Sequence, residues 1–122
     1  MADEFTLSEA PIRVFTTAGP VRQRLEDALD VSGYDEADVL LHVLCLSGTS
    51  PSVDVKLLTA MQKESEEGWC EAVAFSSVTV GNTCEKKNVP GLLKYVRWEV
   101  ELTGGGSPEV WLTLNGMLRS FS

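Results

Sequence analysis

The stretch LLKYVRWEVEL, residues 92–102, decides the fold of this chain, because apolar and polar side chains alternate along it. The apolar residues on one side of the alternation are Val96, Trp98, Val100 and Leu102. The other side of the alternation carries the more polar residues Tyr95, Arg97, Glu99 and Glu101. Successive side chains of a β-strand point to opposite faces, so the pattern predicts a strand with one face on a core and the other in water.

Further alternating or apolar runs lie on both sides of this strand, separated by turns rich in Gly, Pro, Ser and Asn. They predict strands near residues 12–17, 37–46, 53–61, 69–75, 78–80 and 110–115. Residues 21–29 carry the apolar spacing of a short helix but also fit a strand, which we favour. The sequence therefore predicts an all-β fold: an antiparallel two-sheet β-sandwich, jelly-roll-like, with seven or eight strands.

The chain of 122 residues is long enough for one domain with its own hydrophobic core. We expect residues 12–122 to form that single domain and residues 1–11 to form an N-terminal arm. Phe5 and Leu7 alternate with polar residues in this arm. The arm is therefore expected to form an edge strand, to reach a neighbouring molecule, or to be loosely ordered. Its acidic start lacks the apolar segment of a signal peptide.

The formal net charge of −8 argues against two classes of partner. Nucleic acids require clustered Lys and Arg, and so do anionic membrane surfaces. No apolar run is long enough to span a bilayer. We expect neither nucleic acid nor membrane as a partner, and the acidic surface is compatible with solubility and with a basic protein partner.

The three cysteines and the single histidine do not form a recognisable metal motif. No two of Cys45, Cys70 and Cys84 have the spacing of a zinc knuckle. Cys45 and Cys70 lie within apolar strand patterns, where a free thiol behaves as a small apolar side chain. We expect reduced thiols, a protein made in a reducing cytoplasm, and neither a metal nor a cofactor.

The candidate catalytic residues have simpler structural explanations. His42 lies inside the most apolar strand, where a buried or interface histidine with one hydrogen bond is expected. Glu99 and Glu101 would stand roughly 7 Å apart, as some glycosidase carboxylates do, but an exposed strand face with Arg97 explains them equally. The glutamates of residues 64–67 are expected to form a solvated loop. The sequence therefore predicts a protein that is not an enzyme.

An interface is the functional site that the apolar pattern favours. Residues 39–46 are apolar at nearly every position, as in a strand buried on both faces or one that packs on a neighbouring subunit. Trp111 is out of phase with the apolar residues around it and should face outward, where a tryptophan serves a protein interface or a sugar-stacking platform. We favour the interface. The candidate residues are Phe5, Leu7, Leu40, His42, Leu44 and Trp111.

Three stretches carry a resemblance to known proteins: LDVSGYD at residues 29–35, a strand and polar loop ending in Gly-Trp at residues 57–69, and LLKYVRW at residues 92–98. Together they resemble small β-sandwich virion proteins of tailed bacteriophages, jelly-roll modules that decorate or cement the capsid. More distantly they resemble discoidin-like carbohydrate-binding jelly rolls. The resemblance covers roughly residues 25–120.

The resemblance implies a non-enzymatic structural protein, made in a bacterial cytoplasm and placed on a virion surface. Its expected partner is a protein shell, the major capsid protein or a similar assembly. A homo-oligomer is expected, with a trimer favoured because such modules sit at local threefold positions. The second resemblance implies the alternative: a carbohydrate-binding module for adhesion or host-surface recognition, with a glycan as ligand.

Overall fold

The computed structural model describes residues 2–6 and 11–120. In that part of the chain, eight strands form one antiparallel sheet. The strands are β1 (Ala2–Thr6), β2 (Ile12–Val14), β3 (Val21–Arg22), β4 (Leu29–Asp30), β5 (Glu36–Ala60), β6 (Cys70–Ala74), β7 (Thr83–Pro90) and β8 (Tyr95–Arg119). One turn of 3-10 helix, Leu25–Asp27, lies between β3 and β4. Among the described residues, no helix has the length and apolar character needed to span a bilayer.

The two longest strands, β5 and β8, are the axis of the sheet. Each has 25 residues, and they pair from Glu36 opposite Arg119 to Ala60 opposite Tyr95. The strands β1, β2, β3 and β4 follow one another along one edge of β8. The strands β6 and β7 pair along the other edge of β5. The sheet is therefore four strands wide. The two central positions are the continuous strands β8 and β5, and the two edges are each made of several short strands.

Halfway along, β5 and β8 bend together. Their register shifts between Ser47 and Ser52, opposite residues 103–109. Gly48 has φ +127° and Gly104 has φ +136°, a backbone region that side chains other than glycine rarely adopt. A Cβ on Gly104 would also lie 3.0 Å from the Cα of Pro51. Glycine is therefore required where the two long strands turn.

The bend divides the sheet into two layers. The first layer contains β1, β2 and β7 with residues 36–46 of β5 and 110–119 of β8. The second layer contains β3, β4 and β6 with residues 53–60 of β5 and 95–102 of β8. Buried residues of both layers form one core. Ala37 and Val39 of the first layer, for example, line a small void together with Leu57 and Val96 of the second.

The expectation of an all-β antiparallel fold is confirmed. The two layers are joined, because both long strands run through each of them; they are halves of one bent sheet. In the strand of residues 92–102, Val96, Val100 and Leu102 lie in the core, and Trp98 packs half-buried against it. Residues 21–29 form two short strands around a 3-10 helix, so neither a continuous helix nor a continuous strand runs through them.

Candidate functional site

The N-terminal half of β5 separates its side chains between the core and the outer surface of the first layer. Val39, Leu41 and Val43 are fully buried in the core. Leu40 and Leu44, on the opposite face, are 41% and 38% exposed. Of the two explanations for this apolar strand, burial on both faces therefore does not hold within the described residues.

The neighbouring strands continue this outer surface. Leu40 lies opposite Asn115 of β8 and Lys86 of β7, and His42 lies opposite Thr113 and Cys84. Residues directly opposite each other in an antiparallel pair share a face, and diagonal neighbours on that face remain within reach. Met117, which lies two residues beyond Asn115 on β8, is therefore a diagonal neighbour of Leu40, and it is 41% exposed.

Trp111 faces outward from β8, but its ring is partly covered. Opposite it on β2 is Arg13, whose guanidinium carbon lies 5.3 Å from the centroid of the Trp111 ring. The indole Nε1 donates a hydrogen bond to Glu109 Oε1, which also accepts one from Arg13 Nε at 2.9 Å. The hydrogen bonds from Arg13 and Trp111 hold the pKa of Glu109 below its usual value. One face of the indole is thus occupied by a cation.

Phe15 contacts the same arginine. Its ring centroid is 5.3 Å from the Arg13 guanidinium carbon, and the residue is 67% exposed. Together these side chains form an apolar area on the first layer, which we call the outer patch. It consists of Phe15, Leu40, His42, Leu44, Trp111 and Met117.

The structure brings four of the six predicted interface residues into the outer patch: Leu40, His42, Leu44 and Trp111. Phe5 lies in β1, which pairs with β8 on the same layer; the structure describes its backbone pairing and not its side chain. Leu7 lies outside the described residues.

Two residues of the outer patch were missed by the sequence reasoning. Phe15 is out of phase with Ile12 and Val14 of β2, and Met117 has the same phase as Trp111 along β8. The alternation that placed Trp111 outward therefore contained the signal for both.

His42 is held by a weak polar contact at the edge of this surface. Its Nε2 atom lies 3.4 Å from Oδ1 of Asn82. An amide oxygen orients an imidazole but does not replace the carboxylate that supports a catalytic histidine. The geometry is that of a half-buried surface histidine.

The outer face of the second layer differs from the sequence-based expectation. Glu99 was expected in water, but it is only 5% exposed. Its carboxylate accepts a hydrogen bond from Arg22 at 2.6 Å and pairs with Lys56 at 3.2 Å. Burial raises the pKa of Glu99, but the bonds from Arg22 and Lys56 outweigh that effect, and the pKa lies below its usual value. Because β3 carries Arg22 across this face, the Glu99 carboxylate is covered and its charge is paired, whereas Glu101, two residues along the strand, is exposed.

Arg97 was also expected in water and is completely buried, at 0% exposure. Residues 61–69, between β5 and β6, cover it; we call them loop 61–69. Glu66 of this loop accepts hydrogen bonds from both terminal nitrogens of Arg97, and the Trp69 ring centroid lies 4.7 Å from the guanidinium carbon. The loop was predicted to be solvated, but its Glu66 carboxylate binds Arg97 and fixes the loop to the layer.

All three cysteines are free and exposed. Cys45 and Cys70 are therefore not the core side chains that their apolar surroundings in the sequence predicted. In residues 2–6 and 11–120, no three His, Cys, Asp or Glu side chains form a group that could hold a metal ion.

No protein-family model matches this chain, and no curated protein matches it in sequence. Among solved structures, the SPBc2 prophage-derived protein YomS is similar to it, with 21% identity and a TM-score of 0.49, covering 97% of this chain and 92% of that one. A chain from Bacillus endospore appendages, described as disulfide-linked pili, has 15% identity and a TM-score of 0.49, covering 100% of this chain and 88% of that one. Both scores are low, and neither likeness indicates what this chain binds.

Proposed function

We propose that this chain is a non-enzymatic structural protein of a phage-type virion, which decorates or cements the capsid by binding other proteins through its outer patch. The observation that carries the proposal is the exposure of three large apolar side chains, Leu40, Leu44 and Met117, on the outer surface of the first layer, where Leu40 and Met117 are diagonal neighbours. In such a virion, the chain is made in a bacterial cytoplasm and ends on the capsid surface. The resemblance of residues 29–35, 57–69 and 92–98 to phage decoration proteins supports the virion part of the proposal.

The composition of the outer patch suits a protein interface. Interfaces combine an apolar centre, often with aromatic residues and Met, with a polar rim. Around the apolar residues of the patch stand polar or charged ones: Lys86 and Asn115 beside Leu40, and Asp38 opposite Met117. The partners we propose are a second copy of the chain, with a trimer as the favoured state, and the major capsid protein or a similar shell.

The contacts of Trp111 favour protein over sugar as the ligand. A sugar-binding tryptophan offers a free ring face for stacking, whereas Arg13 lies over the Trp111 ring at 5.3 Å. Its indole N–H is also engaged by Glu109. A glycan that stacked on the covered ring face would have to displace Arg13.

Light scattering coupled to size-exclusion chromatography tests the proposal. We expect the wild-type protein to be an oligomer and the Leu44→Glu variant to be a monomer with an unchanged circular dichroism spectrum. The matched control is Met61→Glu, which places the same charge at an exposed apolar residue that is 62% exposed and lies outside the patch. This control should associate like the wild type.

Three results would contradict the proposal. The first is a wild-type protein that is monomeric at high concentration and binds no capsid-like shell. The second is equal association of Leu44→Glu and wild type. The third is wild-type binding on a glycan array that Trp111→Ala abolishes, which would replace it with the carbohydrate-binding function.

A further inference from the structure

Arg97 is a buried cation whose partner is a surface carboxylate. Its side chain is 0% exposed, while that of Glu66 is 62% exposed. Within the described residues, the guanidinium donates to the backbone oxygen of Gln23 at 3.1 Å and to both carboxylate oxygens of Glu66. Its Nε atom is buried without a hydrogen-bond partner. The buried arginine therefore has one N–H group, at Nε, that donates no hydrogen bond within the described part of the chain.

A buried charge without a counter-ion is strongly unfavourable, so Arg97 requires an anion at this position. A carboxylate fits, because its two oxygens match the fork of guanidinium N–H groups, as those of Glu66 do here. Arg22 stands beside the same oxygens, with its Nη1 atom 3.5 Å from Oε1 of Glu66. Two arginines and the Trp69 ring thus surround a space shaped for one carboxylate group.

Loop 61–69 brings Glu66 to this space with few other attachments. Three of its hydrogen bonds stay within the loop: Lys63 N to Glu64, Glu67 N to Ser65, and Trp69 Nε1 to the Ser65 oxygen. A crevice of about 480 Å³ lies between the loop and the end of β5, lined by Ala60, Ser65, Gly68 and Leu93 among others. The loop therefore contacts the layer through charged and cation–π contacts, those of Glu66 and Trp69 with Arg97 among them.

We propose that Arg97, with Arg22 and Trp69, forms a carboxylate-binding site that Glu66 occupies from within the chain and that accepts an external carboxylate in its place. The site lies on the second layer, so it is separate from the outer patch and does not depend on the proposed function. Two sources supply this chemistry: a free small carboxylate and an acidic side chain of another protein.

The test uses the full chain with Glu66→Ala and sodium formate as the probe, with NaCl holding the ionic strength constant. We expect Glu66→Ala to lower the Tm and formate to raise it again along a saturating curve. Glu67→Ala is the matched control, since it removes an exposed carboxylate next to Glu66 in the same loop. Its Tm should stay close to that of the wild type and show no saturating response to formate.

A nuclear magnetic resonance titration gives a second measurement that does not depend on melting. The side-chain Nε–H signal of Arg97 in Glu66→Ala should shift saturably with formate. If Glu66→Ala does not fold, Glu66→Gln serves instead, since an amide oxygen replaces only one of the two acceptors. A glutamate-rich peptide that moves the same signal identifies a protein side chain as a source. A shift with formate alone limits the site to small carboxylates.

Three outcomes overturn the proposal. One is a Tm of Glu66→Ala equal to that of the wild type. Another is a formate effect of the same size in Glu67→Ala. The third is an Arg97 signal that does not respond to formate in any folded variant lacking the Glu66 carboxylate.

Discussion

Gly48 of β5 lies directly against Pro108 of β8 at the bend of the sheet. A Cβ atom on Gly48 would stand 2.9 Å from the Cβ of Pro108 and 3.0 Å from the backbone oxygen of Gly105. Real Cβ atoms do not approach other atoms so closely, so the two strands meet here only because one of them lacks a side chain. The close approach of the strands at the bend depends on this contact.

Gly48→Ala should therefore destabilise the protein severely. The alanine would meet backbone strain of about 1–3 kcal/mol at φ +127°. It would also overpack against Pro108, at a cost of about 1–3 kcal/mol. Urea unfolding measures the sum. Gly19→Ala is the matched control, because Gly19 also has positive φ, +143°, but has nothing within 4 Å of the added Cβ. Equal losses in the two variants would mean that the contact with Pro108 is unimportant.

Truncation of two neighbouring leucines of β5 should change the free energy of unfolding by very different amounts. Leu41 is 1% exposed, so Leu41→Ala should lower the free energy of unfolding by about 2–5 kcal/mol. Leu40, on the outer patch, is 41% exposed, so Leu40→Ala should change the free energy of unfolding by no more than about 0.5 kcal/mol when it is introduced into the monomeric Leu44→Glu variant. Chemical denaturation of both variants checks the assignment. A larger loss for Leu40→Ala would place that residue in the core.

The buried carboxylate of Glu99 should make stability depend on acid. Its pKa is lowered in the folded protein, so its contribution is present above the ordinary value of 4.5 and is lost as the pH falls through the folded value. Glu99→Gln should be less stable than wild type near neutral pH and should lose less stability on acidification. Some acid dependence should remain, because the pKa values of Glu66 and Glu109 are lowered too.

Denaturation curves between about pH 7 and pH 3 provide that measurement. Glu101→Gln is the control, since Glu101 lies two residues further along the same strand with an exposed side chain. It should keep the acid profile of the wild type. If Glu99→Gln shows the wild-type profile as well, Arg22 and Lys56 do not hold Glu99 as the geometry indicates.

All three thiols should react with Ellman's reagent in the folded, monomeric Leu44→Glu variant, since Cys45, Cys70 and Cys84 are exposed in the single chain. The reaction should not require denaturant or prior reduction. Absorbance at completion should correspond to three thiols per chain. A thiol of this variant that reacts only after unfolding would be buried within the chain, which would contradict the exposure of the three cysteines.

The alternation along residues 92–102 predicted the inward side of β8 because that side is set by the strand itself. Val96, Val100 and Leu102 could face only one way once the segment was extended. The opposite side was predicted wrongly for Arg97 and Glu99 because polarity does not show what covers a face. Arg22 is 77 residues from Glu99 along the chain, and Glu66 is 31 residues from Arg97. Contacts this distant leave no periodicity to read.

The outer patch was partly predictable for a related reason. Leu40, Leu44 and Trp111 were identified because each breaks or extends an apolar pattern within its own strand. That they would lie together depended on the pairing of β5 with β8 and of β8 with β2, which a single strand does not specify. The bend at Gly48 was not predictable in detail. A stretch rich in Gly and Pro is expected both where a turn separates two strands and where one long strand bends without ending.

The pairing of the first strands of the chain with its last strand has a consequence for synthesis on the ribosome. Each of the strands β1, β2, β3 and β4 pairs with β8, which is made after all the other strands. Ribosomes add about 5–20 residues per second, so residues 95–119 are made several seconds after the first thirty residues. Throughout that time they are unpaired, and pairing so distant in sequence is intrinsically slow. The strands β1, β2, β3 and β4 can therefore reach their final pairing only after the last strand of the chain has been made.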